Sequence, residues 1–208
     1  MGSSETGRIE AFSDGVFAIA IALLVLDVKV PRALDDGRTL ASSLVAIWPS
    51  YLAFVTSFAT ILIMWINHHR MFTLIDHADD RLMFYNGLLL FGVTIVPFPT
   101  ALVAEYLRHD GQRTAAAVYN GTFILIAICY NLLWRRAAVS GRLLHAHASR
   151  HAVQRIFDSY RYGPLWYLTA FMLAFVSVPA SLVVDLVLAV VFARPTAAAK
   201  SSTPPVVS

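Results

Sequence analysis

The side chains best equipped for chemistry gather in one short stretch, where His68, His69, Asp76, His77, Asp79 and Asp80 follow within thirteen residues. Imidazoles and carboxylates are common zinc ligands and common acid–base groups of hydrolases. Their spacing here fits neither role. There is no His-Glu-x-x-His pair to set two imidazoles on one helical face, and neighbours such as His68 and His69 diverge by about 100° around a helix. The single Cys129 closes no intrachain disulfide, and no Cys-x-x-Cys accompanies it. The pattern therefore predicts no enzyme, no metal site and no cofactor, and charges crowded into a loop at a membrane edge are ordinarily solvated. Three other carboxylates stand in apolar surroundings: Asp14 and Asp27 bracket the run Val16–Leu26, and Asp185 is the only charge between Tyr162 and Ala193. Such acids attract cations or are paired within the protein.

The elements that must hold these residues follow from composition. Of 208 residues 58% are hydrophobic and 14% charged, with a mean hydropathy of +0.64. Soluble domains carry roughly 45–50% apolar and about 25% charged residues, so this chain has too little charge to wet a globule of its size. It reads as an integral membrane protein. A net charge of +3 is too small to indicate nucleic-acid binding.

Uncharged runs over Leu40–Ile66, Leu82–Ala104 and Thr114–Trp134 each reach the roughly 20 residues that cross about 30 Å of hydrocarbon. Residues 162–193 are too long for one comfortable span, and Ser177, Pro179 and Ser181 divide them into two short helices. Asp185 then reads as a residue near a helix end with a partner rather than as a proton relay. The first apolar run is short, which suits a helix shielded from lipid by others. The expected architecture is all-α, with six transmembrane helices near 8–30, 40–68, 81–105, 113–137, 158–177 and 180–194 in a domain spanning 1–194. A disordered tail is expected over 195–208, where Pro, Ala and Ser dominate.

An even number of spans places both termini on one side. With that side cytoplasmic, eleven of the 16 lysines and arginines fall inside, six of them between the fourth and fifth helices. The positive-inside rule therefore predicts a multi-pass protein of the cell membrane with cytoplasmic N- and C-termini.

The first helix has the most unusual pattern. Ile19, Leu23 and Leu26 recur at i, i+4 and i+7 along one stripe. The stripe is either an ordinary packing seam or, with symmetry-related copies around an axis, a stack of hydrophobic constrictions. Near the other end lie Arg8, Ser13 and Asp14. The end of the second helix offers Trp65, Asn67, His68, His69 and Arg70 as donors. These groups make a hydrogen-bonded latch between the two helices, or else a proton- or metal-responsive site using His68, His69 or His77.

The run from Arg8 to Pro31, with Phe12, Ser13 and Asp14 in an Arg-x-x-x-Phe-Ser-Asp signature, closely resembles the first helix of the bacterial TMEM175 potassium channels. Trp65-x-Asn67-His68-His69 resembles the second helix of the same family. The resemblance implies a homotetramer in the lipid bilayer whose first helices line a pore for monovalent cations. Potassium, the permeant ion, would pass large apolar side chains instead of a Thr-Val-Gly-Tyr-Gly carbonyl filter, which the sequence lacks. Carried over by position, the narrowest ring falls on Ile19, with Leu23 and Leu26 above it. Arg8, Phe12, Ser13 and Asp14 would join Trp65, Asn67, His68 and His69 in a network near the inner mouth. One departure is Ala22, where many members place a threonine considered a contributor to cation preference. Asp14 and Asp27 would form acidic rings near the mouths or be structural carboxylates in ion pairs. The alternative is a secondary transporter or proton-coupled carrier, in which Gly92, Pro97 and Pro99 would break the third helix.

Overall fold

The computed structural model describes residues 2–31, 39–146 and 148–193; the expected tail lies outside the described residues. Helix α1 (Gly2–Leu23) tightens into a 3-10 turn at Leu24–Asp27. Next come α2 (Leu40–Ala46), α3 (Trp48–Phe72), α4 (Asp80–Ile95), α5 (Pro97–Tyr106) and α6 (Gln112–Ser140). The last three are α7 (Arg150–Tyr160), α8 (Gly163–Ala174) and α9 (Val178–Ala193). Stretches Glu5–Asp27, Trp48–Phe72, Asp80–Tyr106 and Gln112–Val139 are each long and apolar enough to cross a membrane, and α9 is a shorter apolar helix.

Local chemistry sets these boundaries. The side chains of Thr39, Asp79 and Ser149 each accept from a backbone N–H three residues on and so cap α2, α4 and α7. Proline occupies the first turn of α3, α5 and α8, where its missing N–H costs nothing. Gly141 ends α6 in the left-handed conformation at φ 58°, which only glycine adopts freely.

Several boundaries differ from the sequence expectation. The second predicted helix is split at Ile47 into α2 and α3, and α3 runs on to Phe72. The predicted helix over 158–177 is two elements. Arg150–Tyr160 is a separate amphipathic helix, with Val153, Ile156, Phe157 and Tyr160 packed against the core and Arg150, Gln154 and Asp158 exposed. The third predicted helix kinks at Val96, which keeps right-handed helical angles (φ −50°, ψ −39°). Thr100 sends both its N–H and its hydroxyl to the Val96 carbonyl. Pro97 and Pro99 thus bend the helix without unwinding it, and the broken helix expected of a transporter does not form.

Long α6 is the mast of the subunit and packs against α4, α5, α7, α8 and α9. Its inward face carries Tyr119, Phe123, Ile126, Leu133 and Trp134, all almost fully buried. It approaches α4 closely because Gly92 has no side chain: a Cβ there would stand 2.8 Å from Ile126 Cγ1. At the end of the bundle holding the N-terminus, Ile75 pairs with Leu144 in an isolated antiparallel bridge, and Thr6 Oγ1 donates to the Asp76 carbonyl at 2.9 Å. At the opposite end Lys29 and Glu105 form an ion pair at 3.1 Å.

Candidate functional site

Helix α1 has two faces of different character. Thr6, Ser13, Phe17, Ala20 and Leu24 recur every three, four or seven residues and are buried against the subunit's own core. Between them Phe12, Ile19, Ala22, Leu23 and Leu26 are turned away from that core; Ile19 is 60% and Leu26 71% exposed within the single subunit. The i, i+4, i+7 stripe seen in the sequence is therefore an unpacked apolar face, not an intrasubunit seam. Asp27 closes the helix half-buried, with one carboxylate oxygen buried and lacking a hydrogen-bond partner.

Three links fix the rotation of α1. Glu10 Oε1 meets His69 Nδ1 at 2.6 Å, and Asp14 Oδ1 accepts from Trp65 Nε1 at 2.8 Å. Between these, His68 Nε2 lies 2.8 Å from Asn86 Oδ1, Asn86 Nδ2 donates to Ser13 Oγ at 3.0 Å, and Ser13 Oγ donates to the Ile9 carbonyl at 2.8 Å. The carbonyl of Ile9 can only accept, so the direction of every bond in this chain is determined and the His68 proton is assigned to Nε2. His68 is fully buried, its ring stacked on Phe72 at 4.3 Å between centroids and tilted against Phe17 at 5.4 Å. His68 Nδ1 is left without a partner, and breaking any bond of the chain would strand a further buried polar group, so the chain specifies one register of α1 against α3 and α4.

The structure brings Ser13, Asp14, Trp65, His68 and His69 together as the sequence suggested, and it leaves three expected members out. Asn67 faces the other side of α3, where Nδ2 reaches the Phe192 carbonyl at 3.4 Å and Oδ1 accepts from Arg70 at 3.2 Å. A step of one residue turns a side chain by about 100°, so Asn67 and His68 cannot serve the same neighbour. Arg8 and Phe12 lie on the exposed face. Glu10 and Asn86 were missed. Asn86 was a lone amide in an otherwise apolar run, which is itself a signal that a membrane helix has a polar partner.

His77 belongs to a different cluster. Its Nε2 lies 3.2 Å from one Asp76 oxygen, and His145 Nδ1 lies 3.3 Å from the other. Among the described residues no group of three His, Cys, Asp or Glu side chains is arranged to hold a metal ion. Asp79 both caps α4 and pairs with Arg136 of α6. The Arg136 guanidinium holds its carboxyl below the usual carboxylate range, with the Leu82 N–H acting in the same direction.

Comparison with known proteins agrees with this arrangement. Residues 8–97, which hold α1, its stripe and both partner helices of the chain through Asn86, match the family described as "Endosomal/lysosomal potassium channel TMEM175". A potassium channel of Chamaesiphon minutus is 59% identical over 91% of this chain and 94% of its own length. The chain belongs to the TMEM175 family. A potassium channel of Streptomyces collinus is 46% identical over 86% of this chain and 87% of its own. The crystal structure of a lysosomal potassium-selective channel TMEM175 homolog from Chamaesiphon minutus superposes with a TM-score of 0.84 at 56% identity, covering 91% of this chain and 97% of that one. Like its TMEM175 relatives, the chain is an all-α, multi-pass membrane protein.

Proposed function

We propose that four copies of this chain form a potassium-permeable cation channel of the cell membrane, in which α1 of each subunit lines a central pore. The observation that carries the reading is the division of α1: one face is bonded into its own subunit, and the other presents Ile19, Leu23 and Leu26 to nothing within it. In a membrane such side chains meet either lipid or another copy, and the match of residues 8–97 to a channel family favours another copy. Around a fourfold axis they stack into rings that pass or stop ions by width and wetting, without a carbonyl filter. Ile19 is the narrowest ring, Ala22 leaves the wall between the rings slim, and Asp14 and Asp27 supply oxygen near the two mouths, whereas Ser13, expected there too, is buried and bonded within its own subunit. Both termini are cytoplasmic, 1–194 is the membrane domain, and α7 lies on the inner surface with its apolar side inward. Two relatives named as potassium channels, covered almost end to end, support potassium as the permeant ion.

The test is ion flux into liposomes holding the purified protein, run in potassium and in sodium beside Ile19→Asn. We expect potassium flux down its own gradient, changed in rate or selectivity by the substitution. A folded monomer with no flux, or a tetramer whose flux is indifferent to residue 19, would overturn the reading.

A further inference from the structure

The carboxyl of Asp185 lies in α9, far from either end of that helix and only 4% exposed. The sequence had suggested a residue near a helix end with a partner. Instead, neither of its oxygens is hydrogen-bonded, and the fully buried Asn120 of α6 lies beside it with its own Oδ1 also unbonded. Three oxygens without a donor thus meet in the apolar interior between α6 and α9.

No donor reaches either Asp185 oxygen, and those of Asn120, Ser181, Ser57 and Tyr119 are committed elsewhere. Asn120 Nδ2 gives its protons to the Ala116 carbonyl at 2.9 Å and to Ser181 Oγ at 3.0 Å, and Ser181 in turn donates to the Ala170 carbonyl at 2.8 Å. Because those carbonyls can only accept, the amide cannot be flipped, and its oxygen is the part left to meet Asp185. Thr100 Oγ1 donates to the Val96 carbonyl, so Ser57 Oγ, 2.8 Å away, donates to Thr100, and the Tyr119 hydroxyl, 3.1 Å from Ser57, donates to Ser57. The titratable groups facing Asp185 are Tyr119 from α6 and Tyr167 from α8. α3 also packs on α9 but turns only hydroxyls toward this level. Its Tyr51 is about 9 Å up the axis from Ser57, and its His68 about 16 Å down. Among the described residues no cation acts on the acid.

We propose that Asp185 and Asn120 form a proton-binding site in each subunit, separate from α1, in which the Asp185 carboxylic acid donates its O–H to Asn120 Oδ1. One proton taken from water supplies the donor that both groups lack and removes a bare charge from the membrane interior. The proton acts as a lock between α9 and α6. Without it, a carboxylate faces an amide oxygen, and the contact becomes repulsive. Cavities approach from both ends. One, of about 310 Å³, is lined by Tyr119, Leu182 and Leu186, and a smaller one, of about 50 Å³, by Tyr167 and Ala189.

The experiment is infrared difference spectroscopy of the reconstituted protein at neutral pH, wild type against Asp185→Asn, with thermal unfolding of both and of Asp185→Leu. The expected result is a protonated-carboxyl band in the wild type that is lost in Asp185→Asn. The Asn variant should keep the wild-type unfolding midpoint, since its amide N–H replaces the acid O–H, while Asp185→Leu unfolds several degrees lower because Asn120 Oδ1 is left unpaired. A wild type without the band would overturn the proposal. So would a failure of Asp185→Asn to fold, which would mean that the ionised form is needed. A midpoint that rises with sodium at fixed pH in the wild type but not in Asp185→Asn would also overturn it, by making the three oxygens a metal-ion site.

Discussion

Trp65 of α3 donates its indole N–H to Asp14 of α1 at 2.8 Å, and three residues further along α3 the His68 ring ends the buried bond chain that reaches Ser13, next to Asp14, through Asn86. Adjacent residues of one helix are thereby held from two directions, by α3 directly and by α4. A helix held so cannot roll without breaking a charge-assisted bond and exposing buried donors.

Trp65→Phe keeps the ring and removes the N–H. It should destabilise the subunit by about 1.5–3 kcal/mol, the range for a hydrogen bond to a charged group. Asn86→Leu removes two of the three bonds of the buried chain and should cost at least as much. Thermal unfolding in detergent measures both. Stability equal to wild type would show that the bonds do not set the register of α1.

Phe17 and Ile19 sit two residues apart and face opposite ways, Phe17 being 1% exposed. Phe17→Ala should therefore cost about 3–5 kcal/mol of fold stability. Ile19→Ala should leave the subunit's unfolding midpoint nearly unchanged and raise cation leak in liposomes. An equal loss of stability in the two variants would refute the division of α1 into an anchored and a free face.

The Asp79–Arg136 pair predicts a pH dependence with a definite sign. The folded carboxyl titrates below its unfolded value, so the pair's contribution is complete above the ordinary carboxylate range and is lost as pH falls through the depressed value. Asp79→Asn keeps a competent helix cap but not the charge. The wild type should unfold at a higher temperature than this variant at neutral pH, and the two midpoints should converge in strong acid. A gap that persists there would mean that the charge is not its cause.

Gly92 allows α4 and α6 to touch, and Gly92→Ala would drive a Cβ into Ile126. That variant alone should be destabilised by about 1–3 kcal/mol, as overpacking usually is. Combining it with Ile126→Ala, which removes the Cγ1 that the new Cβ meets, should recover part of the loss, giving a non-additive double-mutant cycle. Strict additivity of the two unfolding shifts would show that the residues do not share the contact.

What the sequence made legible was whatever period and composition carry. The membrane class, the existence of the stripe of Ile19, Leu23 and Leu26 though not whether it is packed or free, and the contact of Asp14 with Trp65 follow from where apolar and polar residues recur. Rotation was harder to read. Asn67 and His68 looked equivalent because each follows Trp65 closely, yet only the angle of α3 decides that Asn67 turns to Phe192. Asn86 was invisible as a partner because its counterparts, Ser13 and His68, lie 73 and 18 residues away. The segment Arg150–Tyr160 escaped notice as a helix because a search for uncharged runs passes over a helix that is apolar on one side only.

The bridge between Ile75 and Leu144 and the bond from Thr6 to Asp76 give the molecule a mechanical property. Backbone bonds from Asp76 and His77 to the Leu143 carbonyl and from His145 to the Leu74 carbonyl tie the segment after α6 to that between α3 and α4, so a sideways push there has a backbone route through the bridge to the foot of α1. The remaining three links at Glu10, Ser13 and Asp14 make that foot stiff, so the push arrives as a tilt of the whole helix and is not lost in local bending.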